Sequence, residues 1–200
     1  MHRQKEWSTM KRIILASASP RRKELLALTG LKFQLDTSGY EEEMDSALNP
    51  HKLAKFLSRE KAKAVASKYK NSVIIAADTF IFFKDNILGK PRTEKEARRM
   101  LTLLNGKTHS VITGFTIIDT GNNRRLSKSV VTKVYFKRLT RKEIDAYVKS
   151  KEPLDKAGAY AIQGLGSVIV RKIEGDYFNV IGLPLSALTE SLKRFGIHIL

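Results

Sequence analysis

The segment Ser17-Ala18-Ser19-Pro20-Arg21-Arg22 stands where an apolar run, residues 12–16 (RIILA), gives way to a helix start. Ser19 suits the N-cap and Pro20 the first helical position. Arg21 and Arg22 then fall in the first turn, where the positive end of the helix dipole disfavours cations. Two hydroxyls, backbone N–H groups and two guanidinium forks at one helix start make a phosphate cradle. Side chains pointing into water would also satisfy the pattern, and the reading leans toward the cradle. Lys61 is a second oddity. Leu53, Leu57, Val65 and Tyr69 are spaced by four or eight, which puts them on one helix face with Lys61 in the middle. Spacing alone does not choose between a lysine passing the core edge and one reaching a phosphate. Asp78 is the third: it separates residues 73–77 (VIIAA) from another apolar run beyond Thr79. A carboxylate so placed is costly to bury unpaired, and the end of a strand beside a crevice is where open α/β sheets hold ligands. A turn cap or an ion pair is the plainer alternative. A metal ion or a general-base role is the reading preferred here.

Other chemistry is excluded by absence of pattern. Residues 89–91 (GKP) put Lys90 in a tight turn but lack the glycine spacing of a P-loop. His2, His51, His109 and His198 show no metal-ligand spacing, so surface or core histidines are the expectation. Neither a G-x-S-x-G elbow nor an H-E-x-x-H pair occurs. With no cysteine, disulfides and thiolate metal sites are ruled out, which fits a reducing cytoplasm. The excess of 37 Lys and Arg over 20 Asp and Glu, net +17, draws anions, whether nucleic acid or a nucleotide. The basic residues are scattered, and no aromatic-rich basic run marks an RNA-binding sheet. No apolar run approaches the roughly 20 residues of a membrane helix.

The elements that must position these residues follow from periodicity and punctuation. Strands are expected at 12–16, 33–37, 73–77, 80–83, 109–118, 129–136, 167–173 and 177–181. The fourth ends in a turn at Lys84-Asp85-Asn86, and Gly121-Asn122-Asn123 closes a hairpin. Helices are expected from Pro20 to about Leu28, from Pro50 to Tyr69, after Thr93 to near Leu104, after Thr140 to about Lys149, and from Pro184. Thr93/Glu96 and Thr140/Glu143 have capping-box spacing. Residues 39–49 read as an acidic loop. The alternation gives a mixed α/β sheet, with residues 1–10 a flexible N-terminal extension and 11–200 a single domain.

Taken together, these segments resemble the Maf family of nucleotide pyrophosphatases. The motifs that carry the resemblance are residues 17–22 (SASPRR), 60–62 (EKA), 76–79 (AADT), 89–91 (GKP), 109–113 (HSVIT), 152–164 (EPLDKAGAYAIQG) and 175–185 (GDYFNVIGLPL). The resemblance implies an elongated mixed sheet with a cleft between two lobes, related to inosine triphosphate pyrophosphatases. It implies hydrolysis of a nucleoside triphosphate to the monophosphate and pyrophosphate with Mg²⁺, or Mn²⁺, and a homodimer. It maps Asp78 onto the catalytic base or metal-linked carboxylate, and Ser17, Arg21, Arg22, Lys61 and Lys90 onto phosphate binding. Glu42, four positions after Ser38, corresponds to a second metal-linked carboxylate. The version of the late motif is similar to the branch acting on dTTP and UTP, in which Arg21, Thr79 and Gln163 bear on base choice. An amide such as Gln163 donates and accepts together, as a pyrimidine's carbonyl–imide edge requires. Ala161 stands where glycine is more usual. The rival readings are the same reaction on 7-methyl-GTP or another purine, nucleic-acid binding, and a role in cell division.

Overall fold

The computed structural model describes residues 11–37, 39–40 and 49–200. The expected N-terminal extension, Ser38, Glu42 and most of the acidic loop lie outside the described residues. In chain order the elements are β1 (Arg12–Ala16), α1 (Pro20–Ala27), β2 (Gln34–Asp36), α2 (Pro50–Ala66), β3 (Ser72–Phe83), β4 (Asn86–Leu88) and α3 (Glu94–Leu104). There follow β5 (Thr108–Asp119), β6 (Arg124–Phe136), α4 (Arg141–Lys149), three short 3-10 turns between Glu152 and Val168, β7 (Val170–Glu174), α5 (Tyr177–Ile181) and α6 (Leu185–Leu192). No helix among the described residues is long and apolar enough to cross a membrane.

All seven strands join one mixed sheet in the order β2-β1-β3-β5-β6-β7, with β4 also on β3. β1 runs parallel to β2 and β3, and every other pairing is antiparallel. β3 is the spine. One of its edges is paired with β5 from Val73 to Phe82. The other is shared by two short strands: β1 pairs as far as Ile75, and β4 starts at Ile81. Between them, on that edge only, Ala76–Phe80 have no strand partner among the described residues, and Asp78 sits in the middle of that gap.

Strand alternation then sorts the helices. Ile74, Ala76 and Phe80 point to the face covered by α2, meeting Ala62, Val65, Leu53 and Leu57. On the opposite face Ile75 and Ala77 pack with Leu25 and Leu26 of α1 and Leu188 of α6. Further along that face Ile81 and Phe83 join a second core, with Leu101 of α3 and Val148 of α4. Two cores at opposite ends of the long strands are the physical content of two lobes on one sheet.

Helix ends follow their caps. Ser19, Asn49, Thr93 and Thr140 each accept a backbone N–H of the first turn, and Thr140 with Glu143 forms the full reciprocal box. Four expectations need correction. Residues 73–77 and 80–83 are one strand, because Asp78 finds a cation and the ladder with β5 continues through it. Residues 177–181 are helical: the Asp176 carboxylate accepts from Phe178 N (2.7 Å) and Asn179 N (3.1 Å), a cap that overrides their β propensity. The strand expected from 167 begins only at Val170, since Gly164–Val168 coils into a 3-10 turn. Helix α2 stops at Ala66 rather than Tyr69.

Gly114 sets how deeply α2 docks. It lies opposite Asp78 in the β3–β5 register. A Cβ there would stand 2.0 Å from the Ala54 carbonyl oxygen of α2, where no side chain fits. Ser58 of α2 closes the same contact with a 2.9 Å hydrogen bond to Thr116. The Gly114→Ala substitution is expected to lower unfolding free energy by about 3 kcal/mol, measured by urea denaturation. An unchanged midpoint would show that the helix is free to lift.

Candidate active site

The unpaired stretch of that β3 edge opens into a cleft of about 1150 Å³ among the described residues. Its polar lining includes the β1–α1 turn with Ser17, Ser19, Arg21 and Arg22; Thr37 and Tyr40 after β2; Lys61 of α2; Asp78 and Thr79 of β3; and the segment after β4 with Lys90, Arg92, Glu96 and Arg99. Asp155 adds a further carboxylate at the rim. Six cationic side chains (Arg21, Arg22, Lys61, Lys90, Arg92, Arg99) thus face three carboxylates (Asp78, Glu96, Asp155), so the cleft attracts polyanions.

Asp78 is buried, and the Lys61 ammonium donates to its Oδ1. Lys61 itself emerges from the apolar face of α2, one turn from Leu57 and one from Val65, both fully buried. The helix face therefore delivers a cation to the one charged position of that strand face. Lys61 thus points into the cleft and onto Asp78 rather than out past the core edge.

Thr79 points to the other side of the sheet, and a smaller pocket of about 90 Å³ opens there. Thr79 lines it with Arg21, Arg22, Lys90, Lys156, Tyr160 and Gln163. Arg22 braces the junction between pocket and cleft. Its Nε donates to the Gly182 carbonyl (2.9 Å), Nη2 to Thr79 Oγ1 (3.1 Å) and Nη1 to Ser17 Oγ (3.4 Å). These partners also offset the cost of a cation in the first turn of α1. From Thr79 a buried polar chain runs to Thr113 (2.9 Å), which donates to the Asn179 carbonyl (2.9 Å). The Asn179 amide donates in turn to Thr132 (3.0 Å). Arg21 reaches across the mouth to the Asp155 carbonyl at 3.3 Å. Burial raises the Asp155 carboxyl's pKa, but the Lys156 hydrogen bond and the charges of Lys156 and Arg21 outweigh it and hold it low.

Tyr160 closes the small pocket from beneath. Its hydroxyl lies 2.8 Å from His109 Nε2, and its ring meets those of His109 and Phe136 edge-on. Burial pushes the Tyr160 hydroxyl up, so it stays protonated at neutral pH, and pushes His109 down to about 3. His109 is thus a core histidine, as expected, and its Nδ1 has no partner among the described residues.

The structure therefore brings Ser17, Arg21, Arg22, Lys61, Asp78, Thr79 and Lys90 together around the cleft, and places Gln163 in the adjoining pocket. Glu42 lies outside the described residues. Sequence reasoning missed Gly114, Asp155, Asn179 and the bracing role of Arg22. Of these, Gly114 carried a usable signal, since a glycine inside a β-branched run marks a close backbone approach. The others depend on partners distant in the chain.

A divalent cation can be tested against the donor set. Among the described residues no group of three His, Cys, Asp or Glu side chains is placed to hold a metal ion alone. Mg²⁺ usually binds through one or two carboxylates together with substrate phosphates and waters. Asp78 beside a phosphate-attracting cleft fits that mode, and does not fit a closed all-protein site.

A cationic cleft at a break in strand pairing, with a carboxylate on its floor and a separate small pocket, defines an α/β protein with an anion-attracting site. The family model described as "Maf-like protein" matches residues 12–195. The chain belongs to the Maf family. A dTTP/UTP pyrophosphatase of Bacillus cereus (strain ATCC 10987 / NRS 248) is 48% identical over 199 residues, 100% of this chain and 97% of the relative. One of the same name from Geobacillus sp. (strain WCH70) is 48% identical over 187 residues, 94% of this chain and 100% of its own. Among solved structures, the Staphylococcus aureus Ham1 protein aligns with TM-score 0.46 and 12% identity over 80% of each chain, a loose likeness of arrangement.

The histidine gives a pH prediction. His109 is pushed from 6.5 to about 3 in the folded protein, so between these values the unfolded chain binds the extra proton. Stability is then full above about pH 6.5 and falls as pH drops toward 3, by about 2 kcal/mol from this residue at pH 5. Denaturation of wild type and His109→Gln at pH 7 and pH 5 should show that loss in wild type only. Equal pH dependence would mean the imidazole is not held neutral.

Proposed function

We propose that the protein hydrolyses a pyrimidine nucleoside triphosphate, dTTP or UTP, to the nucleoside monophosphate and pyrophosphate with a divalent cation. The observation that carries this reading is the pairing of Asp78 with Lys61 at the floor of a cationic cleft, where β3 lacks a strand neighbour. The 48% identical relatives named dTTP/UTP pyrophosphatase support it over the full chain length.

The cleft divides the work by compartment. Arg21, Lys61 and Lys90, with the Ser17 hydroxyl, bind and orient the triphosphate along the edge gap. The small pocket has less than a tenth of the cleft's volume, about 90 against 1150 Å³, and takes the base. Gln163 there offers donor and acceptor together to the carbonyl–imide edge of thymine or uracil. Asp78 would hold Mg²⁺ or Mn²⁺ together with phosphate oxygens, and the cation would supply charge neutralisation there.

For the chemistry, Asp78 orients a water and accepts its proton as the water oxygen bonds to the α-phosphorus. The bond from that phosphorus to the α–β bridging oxygen breaks, and pyrophosphate leaves. Lys61 holds the carboxylate in position from α2. Most of the rate then comes from positioning and fixed charge rather than from covalent chemistry.

Pyrophosphate release from dTTP and UTP in the presence of Mg²⁺ is the direct assay. Asp78→Asn is expected to keep the fold by circular dichroism and to lose about 10²–10⁴-fold in turnover. Chelation should silence the wild type, and restoring Mg²⁺ should recover it. An Asp78→Asn protein as active as wild type would overturn the assignment.

A further inference from the structure

Gln163 lies on a segment with little regular structure of its own. It is extended (φ −105°, ψ 167°) and stands between the 3-10 turns Ala157–Ala159 and Gly164–Val168, away from any strand ladder. Two side chains outside both pockets fasten that segment. Ala161 N donates to the Tyr147 hydroxyl (3.2 Å) on one side of Gln163. On the other side Leu165 N donates to Glu152 Oε2 (3.0 Å) and Gly166 N to Glu152 Oε1 (2.9 Å). The Tyr147 hydroxyl in turn donates to Glu152 Oε1 at 2.8 Å, which closes the ring of bonds around the loop.

The fit is close enough to dictate neighbouring residues. A Cβ on Gly164, whose φ is +65°, would stand 2.6 Å from Glu152 Oε2. One on Gly166 would stand 2.6 Å from the Tyr147 hydroxyl and 2.2 Å from the Ala161 carbonyl oxygen. Tyr147 is buried on the inner face of α4, so the anchor is part of a core. Burial raises the Glu152 carboxyl's pKa, yet bonds from Gly166 N, the Tyr147 hydroxyl and Leu165 N outweigh this and keep it low. A carboxylate accepting three hydrogen bonds is a rigid fixture.

We propose that Glu152 and Tyr147 are positioning residues for base recognition: they fix the loop that aims Gln163 into the small pocket, and so set substrate discrimination without touching substrate. This rests on the reading of that pocket as the base site. Fixing a reading group within about half an ångström is what supporting hydrogen bonds provide. A site built to bond a specific edge discriminates only while its donors and acceptors stay in place.

The test compares wild type, Tyr147→Phe, Glu152→Gln, Gln163→Ala and the double variant Tyr147→Phe/Gln163→Ala. It reads kcat/KM for dTTP and dCTP, which differ at the base edge, and the inhibition constant of inorganic tripolyphosphate, which probes the phosphate subsite alone. The expected result is a fall of about tenfold in preference for dTTP in each single variant, chiefly through KM, with tripolyphosphate inhibition unchanged. In the Gln163→Ala background, Tyr147→Phe should leave the preference where it is, because the group it positions is gone. Preference unaltered in folded Tyr147→Phe and Glu152→Gln overturns the proposal, as does weakened tripolyphosphate inhibition in step with it, which marks a general loss of structure. If one variant fails to fold, the other carries the comparison. Wild type that does not cleave dTTP at all would instead overturn the base-site reading beneath it.

Discussion

A carboxylate on the inner face of a central strand costs several kcal/mol unless a cation meets it there. Asp78 is such a group, and Lys61 is its cation. That single ion pair requires α2 to lie hard against the sheet, which in turn requires Gly114 to have no side chain under Ala54. It also requires β3 to run straight through a polar position without breaking, which the ladder to β5 ensures. The docking of α2, the continuity of β3 and the position of the cleft are therefore one constraint seen from three sides.

The pleat of β3 adds a second consequence. Neighbouring residues on a strand face opposite ways, so Asp78 meets α2 while Thr79 meets Arg22 and Thr113 on the other face. The floor of the cleft and the wall of the small pocket are held by adjacent residues of one strand, with no hinge between them. The polar chain from Arg22 through Thr79 and Thr113 to Asn179 then ties that strand to the 175–185 segment.

Much of this was legible in the sequence, for reasons that differ by residue. Asp78 stood out because a charge between apolar runs violates a burial rule, and Ser19-Pro20-Arg21-Arg22 because cations opposed the helix dipole. Capping boxes at Thr93 and Thr140 fixed two helix starts, since caps are local. What escaped was set by distant partners. The Asp-Thr step at 78–79 read as the end of a strand because the cation that sustains the strand comes from α2, 17 residues earlier. The run from Tyr177 to Ile181 has strand-like residues, yet Asp176 caps it and Asn179 makes buried bonds to Val111 and Thr132. Glu152 stood at the head of the 152–164 motif with no role assigned, because the N–H groups it gathers lie 13 and 14 residues ahead.

The break between β1 and β4 bears on solubility as much as on chemistry. A strand edge without a neighbour is a template on which another chain can add, and proteins guard such edges with charge, bulk or covering loops. Here Ala76, Ala77 and Phe80 are apolar, and β branching and aromaticity flank them, the composition that invites aggregation. They are nonetheless buried, Ala76 and Phe80 under α2 and Ala77 under α1 and α6. The helices that cover its two faces and the charges of Arg21, Lys61 and Lys90 beside its open edge are thus also the strand's guard against pairing with another chain.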